Sequence, residues 1–215
     1  MHSIQDLRVL LGVLAFGAAS SCVADGIISG RVIDRDDKGI AQAVVFVQSP
    51  VEPAAVPTAS AARMDQVDKA FVPGVLPVVV GTQVAFPNSD NIRHHVYSFS
   101  RAKNFELPLY KGQEAPPVLF DKPGVVKIGC NIHDWMSAII LVLPNSYYAT
   151  TDTEGRFSLP ALKPGTYTLT AWHTQSRDKT ESVAQRVELA GDTVGLTFKL
   201  TLSPVRARPP IRGAR

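Results

Sequence analysis

The sequence predicts an all-β protein built as two small β-sandwiches, and three observations carry that prediction. Short runs rich in β-branched and aromatic residues recur along the chain: "GRVIDR", "QAVVFVQ", "PVVVGTQVAF", "HHVYSF", "VVKIG", "AIILVL", "GRFSL", "GTYTLTAW" and "VGLTFKLTL". Turn residues, supplied by 15 Gly and 16 Pro, bound these runs about every ten residues, the spacing of a sandwich rather than of a parallel sheet. No window carries a sustained helical stripe, and 215 residues with 45% hydrophobic content suffice for two small cores.

In chain order, residues 1–24 read as a signal peptide. Arg8 precedes the apolar run Val9–Ala19, too short to span a bilayer and followed by small residues. Cleavage after Ala24 is favoured over lipidation at Cys22, because "AASSC" lacks the leucine of a lipobox. The expected location is the periplasm, and no other stretch reaches membrane-spanning length. Residues 25–50 hold two strand runs. Residues 51–65 open on the low-complexity "VEPAAVPTASAA" and read as a linker. Residues 66–143 hold the longest series of strand runs, and residues 144–202 hold three more. Residues 203–215, Pro- and Arg-rich, read as a disordered basic tail.

Lys and Arg number 22 against 19 Asp and Glu, and four arginines (Arg206, Arg208, Arg212, Arg215) lie in the last ten residues. The body is therefore near neutral, without the electrostatic footprint of a nucleic-acid binder. With the leader removed, Cys130 is the sole cysteine, so no internal disulfide forms. A lone thiol in an exported protein oxidises unless something occupies it.

Cys130, His133 and Met136 form Cys-x-x-His-x-x-Met on a turn between "VVKIG" and "AIILVL". A soft thiolate, a borderline imidazole and a soft, weak thioether suit copper, and a His₂Cys site with a long axial Met is the blue-copper arrangement. Upstream, "FPNSDNIRHHVYSFS" supplies His94 and His95 at the start of a strand, with 35 residues between His94 and Cys130. Buried Cys and Met are common core filler, but a polar ring between two sulfurs has little use in an apolar core. Zinc has little use for a thioether, and a dinuclear copper centre needs a second cysteine. The expectation is one mononuclear copper ion.

At these residues the sequence resembles the cupredoxins. "FVPGVLPVVVGTQVAFPNSDNIRHHVYSF" and "VLFDKPGVVKIGCNIHDWMSAIILV" follow that family's order: a strand ending in phenylalanine and asparagine, a histidine before a strand, a Pro-Gly turn, then the cysteine loop. Two residues between His133 and Met136 make it similar to the short-loop amicyanins. The resemblance implies a Greek-key β-sandwich over residues 66–143 with Cys130, His133 and Met136 as ligands. His94 takes the upstream ligand place, with His95 as the alternative. The family's bracing asparagine is replaced by His95, and the prolines that flank the histidine in amicyanin loops by Ile132 and Asp134. Asp134 is expected to favour a protonated His133.

"IISGRVIDRDDKGIAQAVVFVQ" and "TTDTEGRFSLPALKPGTYTLTAWH" resemble the two parts of a carboxypeptidase-regulatory or prealbumin-like module, into which the copper domain would be inserted. Joined segments of this kind are similar to methylamine-utilisation-type proteins. "TDTEG" lacks the further acids of a calcium loop and reads as a β-turn; His173 reads as structural. The resemblance implies one-electron transfer through His133, with redox protein partners such as a c-type cytochrome or a dehydrogenase. A copper carrier or store is disfavoured by a mature chain with only Met64 and Met136. A β-sandwich that binds a polymer or protein, with incidental metal, is the third reading. No nucleophile–base constellation points to an enzyme.

Overall fold

The computed structural model describes residues 24–49, 62–112, 115–177, 182–190 and 194–203, so the leader and nearly all of the basic tail lie outside the described residues. Among the described residues there is no helix. The first flank holds β1 (Ile28–Ile33) and β2 (Val44–Ser49). The middle holds β3 (Ala62–Arg63), β4 (Asp65–Val67), β5 (Ala70–Val72), β6 (Val75–Val79), β7 (Thr82–Ala85), β8 (His94–Ser100), β9 (Lys103–Tyr110), β10 (Val118–Phe120), β11 (Gly124–Cys130) and β12 (His133–Leu143). The last flank holds β13 (Tyr148–Thr150), β14 (Arg156–Ser158), β15 (Gly165–Trp172), β16 (Ser182–Leu189) and β17 (Val194–Lys199).

The middle strands make one sandwich. A sheet in the order β6-β12-β11-β8-β9 faces a small sheet β10-β7-β3, while β4 and β5 pair as a separate hairpin. Between the sheets Phe86, Phe120, Val96, Val126, Ile128 and Ile140 form the core, with Cys130 and Met136 in the same buried cluster. The flanks make the second sandwich, from sheets β14-β1-β17 and β13-β2-β15-β16. Thus β1 pairs with β14 and, in parallel, with β17, and β2 pairs with β13 and β15. The two strands before the middle segment pair with strands that follow it. Close approach holds β1 to β17: a Cβ on Gly30 would lie 1.9 Å from the carbonyl oxygen of Leu196. Asp152 accepts from the Glu154 and Arg156 N–H groups, and Gly155 takes φ 74, so "TDTEG" is a turn closed on its own backbone.

The sandwiches meet through β12. Along it Met136, Ala138, Ile140 and Val142 face the first core, whereas Leu141 and Leu143 on the opposite face pack with Val44 and Trp172 of the second sandwich. Burial on both faces is the physical reason for the unbroken apolar run "AIILVL". The expected linker 51–65 is corrected at its end: β3 pairs in parallel with β7, and Met64 is fully buried. Arg63, Met64 and Asp65 alternate polar-apolar-polar, and the apolar member fills the core. Residues 50–61 lie outside the described residues.

Candidate metal centre

Cys130 ends β11 and His133 begins β12, and the two residues pair across the hairpin with Asn131 and Ile132 as its loop. Directly opposed residues of a tight hairpin project to the same side. Cys130 Sγ therefore lies 3.7 Å from His133 Nδ1. The register then slips between Gly129, paired with Ser137, and Cys130, paired with His133. Asp134, Trp135 and Met136 are left in the bulge. A bulge re-aims side chains, and Met136 is turned inward to 2% exposure in the cluster that contains Cys130.

His94 and His95 open β8, where neighbouring side chains point to opposite faces. His94 points inward: its exposure is 0%, and its Nδ1 lies 3.9 Å from Cys130 Sγ. Its ring centroid is 4.9 Å from that of His133. One donor atom each from His94, Cys130 and His133 lies within 4.8 Å of the other two, a cluster that can hold one metal ion. His95 points away, with Nε2 2.8 Å from Glu106 Oε1 of β9 and a buried Nδ1 without a hydrogen-bond partner. It does not reach the cluster, and it braces β9 rather than the cysteine loop.

The loop beneath His94 is held by Asn88, a buried side chain. Its Nδ2 donates to the carbonyls of Ile92 and Tyr110, and its Oδ1 accepts from the Asp90 N–H. Asp90 Oδ2 in turn meets His94 Nε2 at 2.7 Å. Desolvation opposes the charge on Asp90, yet hydrogen bonds from the Lys69 N–H, the His94 ring and the Asp68 N–H hold its carboxyl below the ordinary value. Deeper in, Tyr110 donates to the Phe86 carbonyl and accepts from Gln66, and burial pushes its pKa up to about 12.

His133 is the half-buried member of the cluster. Burial first, then the neighbouring His94 and Lys69, lower its pKa, while Asp90 pulls the other way. The neutral imidazole favoured here is the form that binds metal. The expectation for Asp134 is corrected: the carboxylate acting on His133 is Asp90. Asp134 instead lines a 480 Å³ cleft with Tyr97, Phe99 and Ser137 on the outer side of the sheet. Adjacent strand residues face opposite ways, so sequence neighbourhood did not become spatial neighbourhood. Trp135, 45% exposed, sets its ring 5.3 Å from that of His133, and exposed Ile92 and Ile132 lie beside the two ligand segments. His173 stands apart in the second sandwich, where its Nδ1 accepts from the Gln175 N–H and burial lowers its pKa.

Sequence reasoning missed Asp90 and the β4–β5 hairpin that holds it. The signal available was an acid four residues before a candidate ligand, within hydrogen-bond reach if the intervening loop curls.

Residues 137–201 match the model of the carboxypeptidase regulatory-like domain. No curated protein matches the chain. Among solved structures, a purple cupredoxin from Nitrosopumilus maritimus is 24% identical with a TM-score of 0.34, covering 38% of this chain and 98% of its own. A copper-containing nitrite reductase from Thermus scotoductus is 28% identical at TM-score 0.37, covering 45% of this chain but 27% of that one. A reduced tryptophan-to-tyrosine variant of amicyanin is 24% identical at TM-score 0.35, covering 46% and 97%. The chain thus joins a carboxypeptidase regulatory-like segment to a β-sandwich whose His94, Cys130 and His133 cluster can hold one metal ion.

Proposed function

We propose that the protein is a periplasmic type 1 copper protein that carries single electrons, with His94, Cys130, His133 and Met136 holding one copper ion. The observation that supports it most is the convergence of two imidazole Nδ1 atoms on one thiol sulfur, at 3.9 and 3.7 Å, where Cys130 and Met136 join the buried apolar core. Two imidazoles and a thiolate with a buried thioether nearby are a donor set for copper, since zinc and harder ions make little use of sulfur from methionine. Copper held there supplies a one-electron couple.

The surrounding residues do the rest. Cys130 and His94 are buried and fixed by strands, so little reorganises when charge changes. His133, with Trp135, Ile92 and Ile132 around it, presents the only partly exposed donor of the cluster to an apolar rim against which a redox protein can dock. The pairing of β1 and β2 with strands after Pro144 supports reading 25–50 and 144–202 as one module interrupted by the copper domain. Export rests on the leader-like run Val9–Ala19.

The test is metal analysis and visible spectroscopy of protein produced with its own leader in a bacterial periplasm. One copper per chain and an intense thiolate-to-copper absorption, lost in Cys130→Ser, are expected. A colourless protein that prefers zinc would overturn the reading.

A further inference from the structure

Two backbone N–H groups and one imidazole nitrogen converge on one carboxylate. Asp90 Oδ1 accepts the Asp68 N–H at 2.7 Å, and Oδ2 accepts the Lys69 N–H at 2.9 Å while meeting His94 Nε2 at 2.7 Å. Asp68 and Lys69 are the two-residue loop of the β4–β5 hairpin, with φ 52 and 58. Positive φ at both positions is the primed turn, uncommon for residues other than Gly, Asn and Asp, and here it aims both amides at Asp90. The Asp90 N–H is itself fixed to Asn88 Oδ1 at 3.0 Å. Both backbone N–H groups need an acceptor, and an imidazole Nε2 that carries its proton needs one too. An asparagine amide would set its own NH₂ against a backbone N–H in one orientation, and against both Lys69 N–H and His94 in the other.

We propose that Asp90 is a positioning residue of the metal centre. As an acceptor-only group locked by the Asp68–Lys69 turn, it keeps the imidazole proton of His94 on Nε2 and leaves the Nδ1 lone pair facing Cys130 Sγ. Its charge then favours the more positive state of a metal held by His94. The first statement concerns the protein without metal; the second rests on the copper reading above. A ligand imidazole anchored through its far nitrogen has its tautomer and ring orientation set before metal arrives, and such partners are worth about 10–100-fold in metal affinity. The hairpin carrying residues 68 and 69 thereby becomes part of the centre, though it contributes no ligand.

The experiment has a metal-free and a metal-bound arm. In metal-free protein, imidazole ¹⁵N shifts of His94 in neutral buffer are expected to report the Nε2–H form. The same measurement on Lys69→Met, which keeps the amide, is expected to be unchanged. In Asp90→Asn the single tautomer is expected to be lost, and the ratio of Cu(II) to Cu(I) affinity is expected to fall about tenfold, equal to about 59 mV for a one-electron couple. A wild-type Nδ1–H form, or a Lys69→Met effect as large as that of Asp90→Asn, overturns the proposal. An unchanged affinity ratio in a folded Asp90→Asn overturns the charge statement. If Asp90→Asn does not fold, the wild-type tautomer and Lys69→Met decide. If wild type takes up no copper, the copper reading fails while the tautomer result still decides the role of Asp90.

Discussion

Replacing Met136 by leucine separates a metal ligand from core filler. Met136 is 2% exposed in a cluster with Cys130, Val126, Ile128 and Ala138, so a leucine of nearly the same volume can occupy its space. Volume-conserving exchanges of this kind cost less than about 1.5 kcal/mol, whereas alanine would open a cavity and cost about 2–5 kcal/mol, confounding ligand loss with unfolding. If the thioether only fills space, the small stability change is the whole effect. If it donates weakly to copper, its loss withdraws a donor that the Cu(II) state uses more than Cu(I) does. A tenfold fall in the Cu(II)/Cu(I) affinity ratio then raises the potential by about 59 mV. Thermal melts of the metal-free protein give the first quantity, and voltammetry with visible spectra gives the second. A potential and spectrum identical to wild type, at full copper loading, would refute the assignment of Met136 as ligand.

His94→Ala should abolish the charge-transfer band while His95→Ala retains it, because only His94 lies with Cys130; visible titration with copper distinguishes them. Gly30→Val should lower the melting midpoint of the second sandwich, by at least the roughly 1–3 kcal/mol of overpacking, since the facing atoms are backbone of Leu196 at 1.9–2.8 Å and cannot give way. An unshifted melt would contradict the β1–β17 pairing. Burial lowers the His173 pKa from 6.5, so the unfolded chain binds the proton more readily; its contribution to stability is present above pH 6.5 and lost as pH falls toward the lowered folded value. Denaturant midpoints of metal-free protein between neutral and mildly acidic pH should therefore fall less in His173→Gln than in wild type, and equal slopes would count against it.

How much could be read from residues alone depended on whether a feature was local. Cys-x-x-His is local: a two-residue hairpin loop makes its ends cross-strand partners, so spacing alone implied that sulfur and imidazole meet. The choice between His94 and His95 followed from alternation once one of them had to face inward, but which one did so depends on the register of β8 against β11, set at Gly129 and Tyr97. Asp90 was not legible, because acids are ordinary in a loop such as "PNSDNI", and its partner amides come from a turn more than twenty residues upstream. The edge strands β9 and β16 were also missed. "KNFELPLY" and "SVAQRVEL" carry charges and, in β9, Pro108, all tolerated at an edge where one side of the backbone has no partner strand.

The position of the second sandwich follows from the two faces of β12. Ten residue steps separate His133 from Leu143, about 33 Å of extended chain. His133, of the candidate metal cluster, sits at the start of the strand and the intersandwich contacts, Leu141 and Leu143 against Val44 and Trp172, at its end. Covering the outer face near Leu143 leaves the face near Ser137 open, where Tyr97, Phe99 and Asp134 line the cleft behind Cys130. Ile92, Ile132 and Trp135 are exposed as well. The contact between the sandwiches is a buried apolar cluster continuous with the outer face of β12. Under the proposed electron-carrier reading, a partner that docks at His133 would meet the exposed Trp135 and Ile132 of the first sandwich, roughly one strand length from the contact made by Leu141 and Leu143.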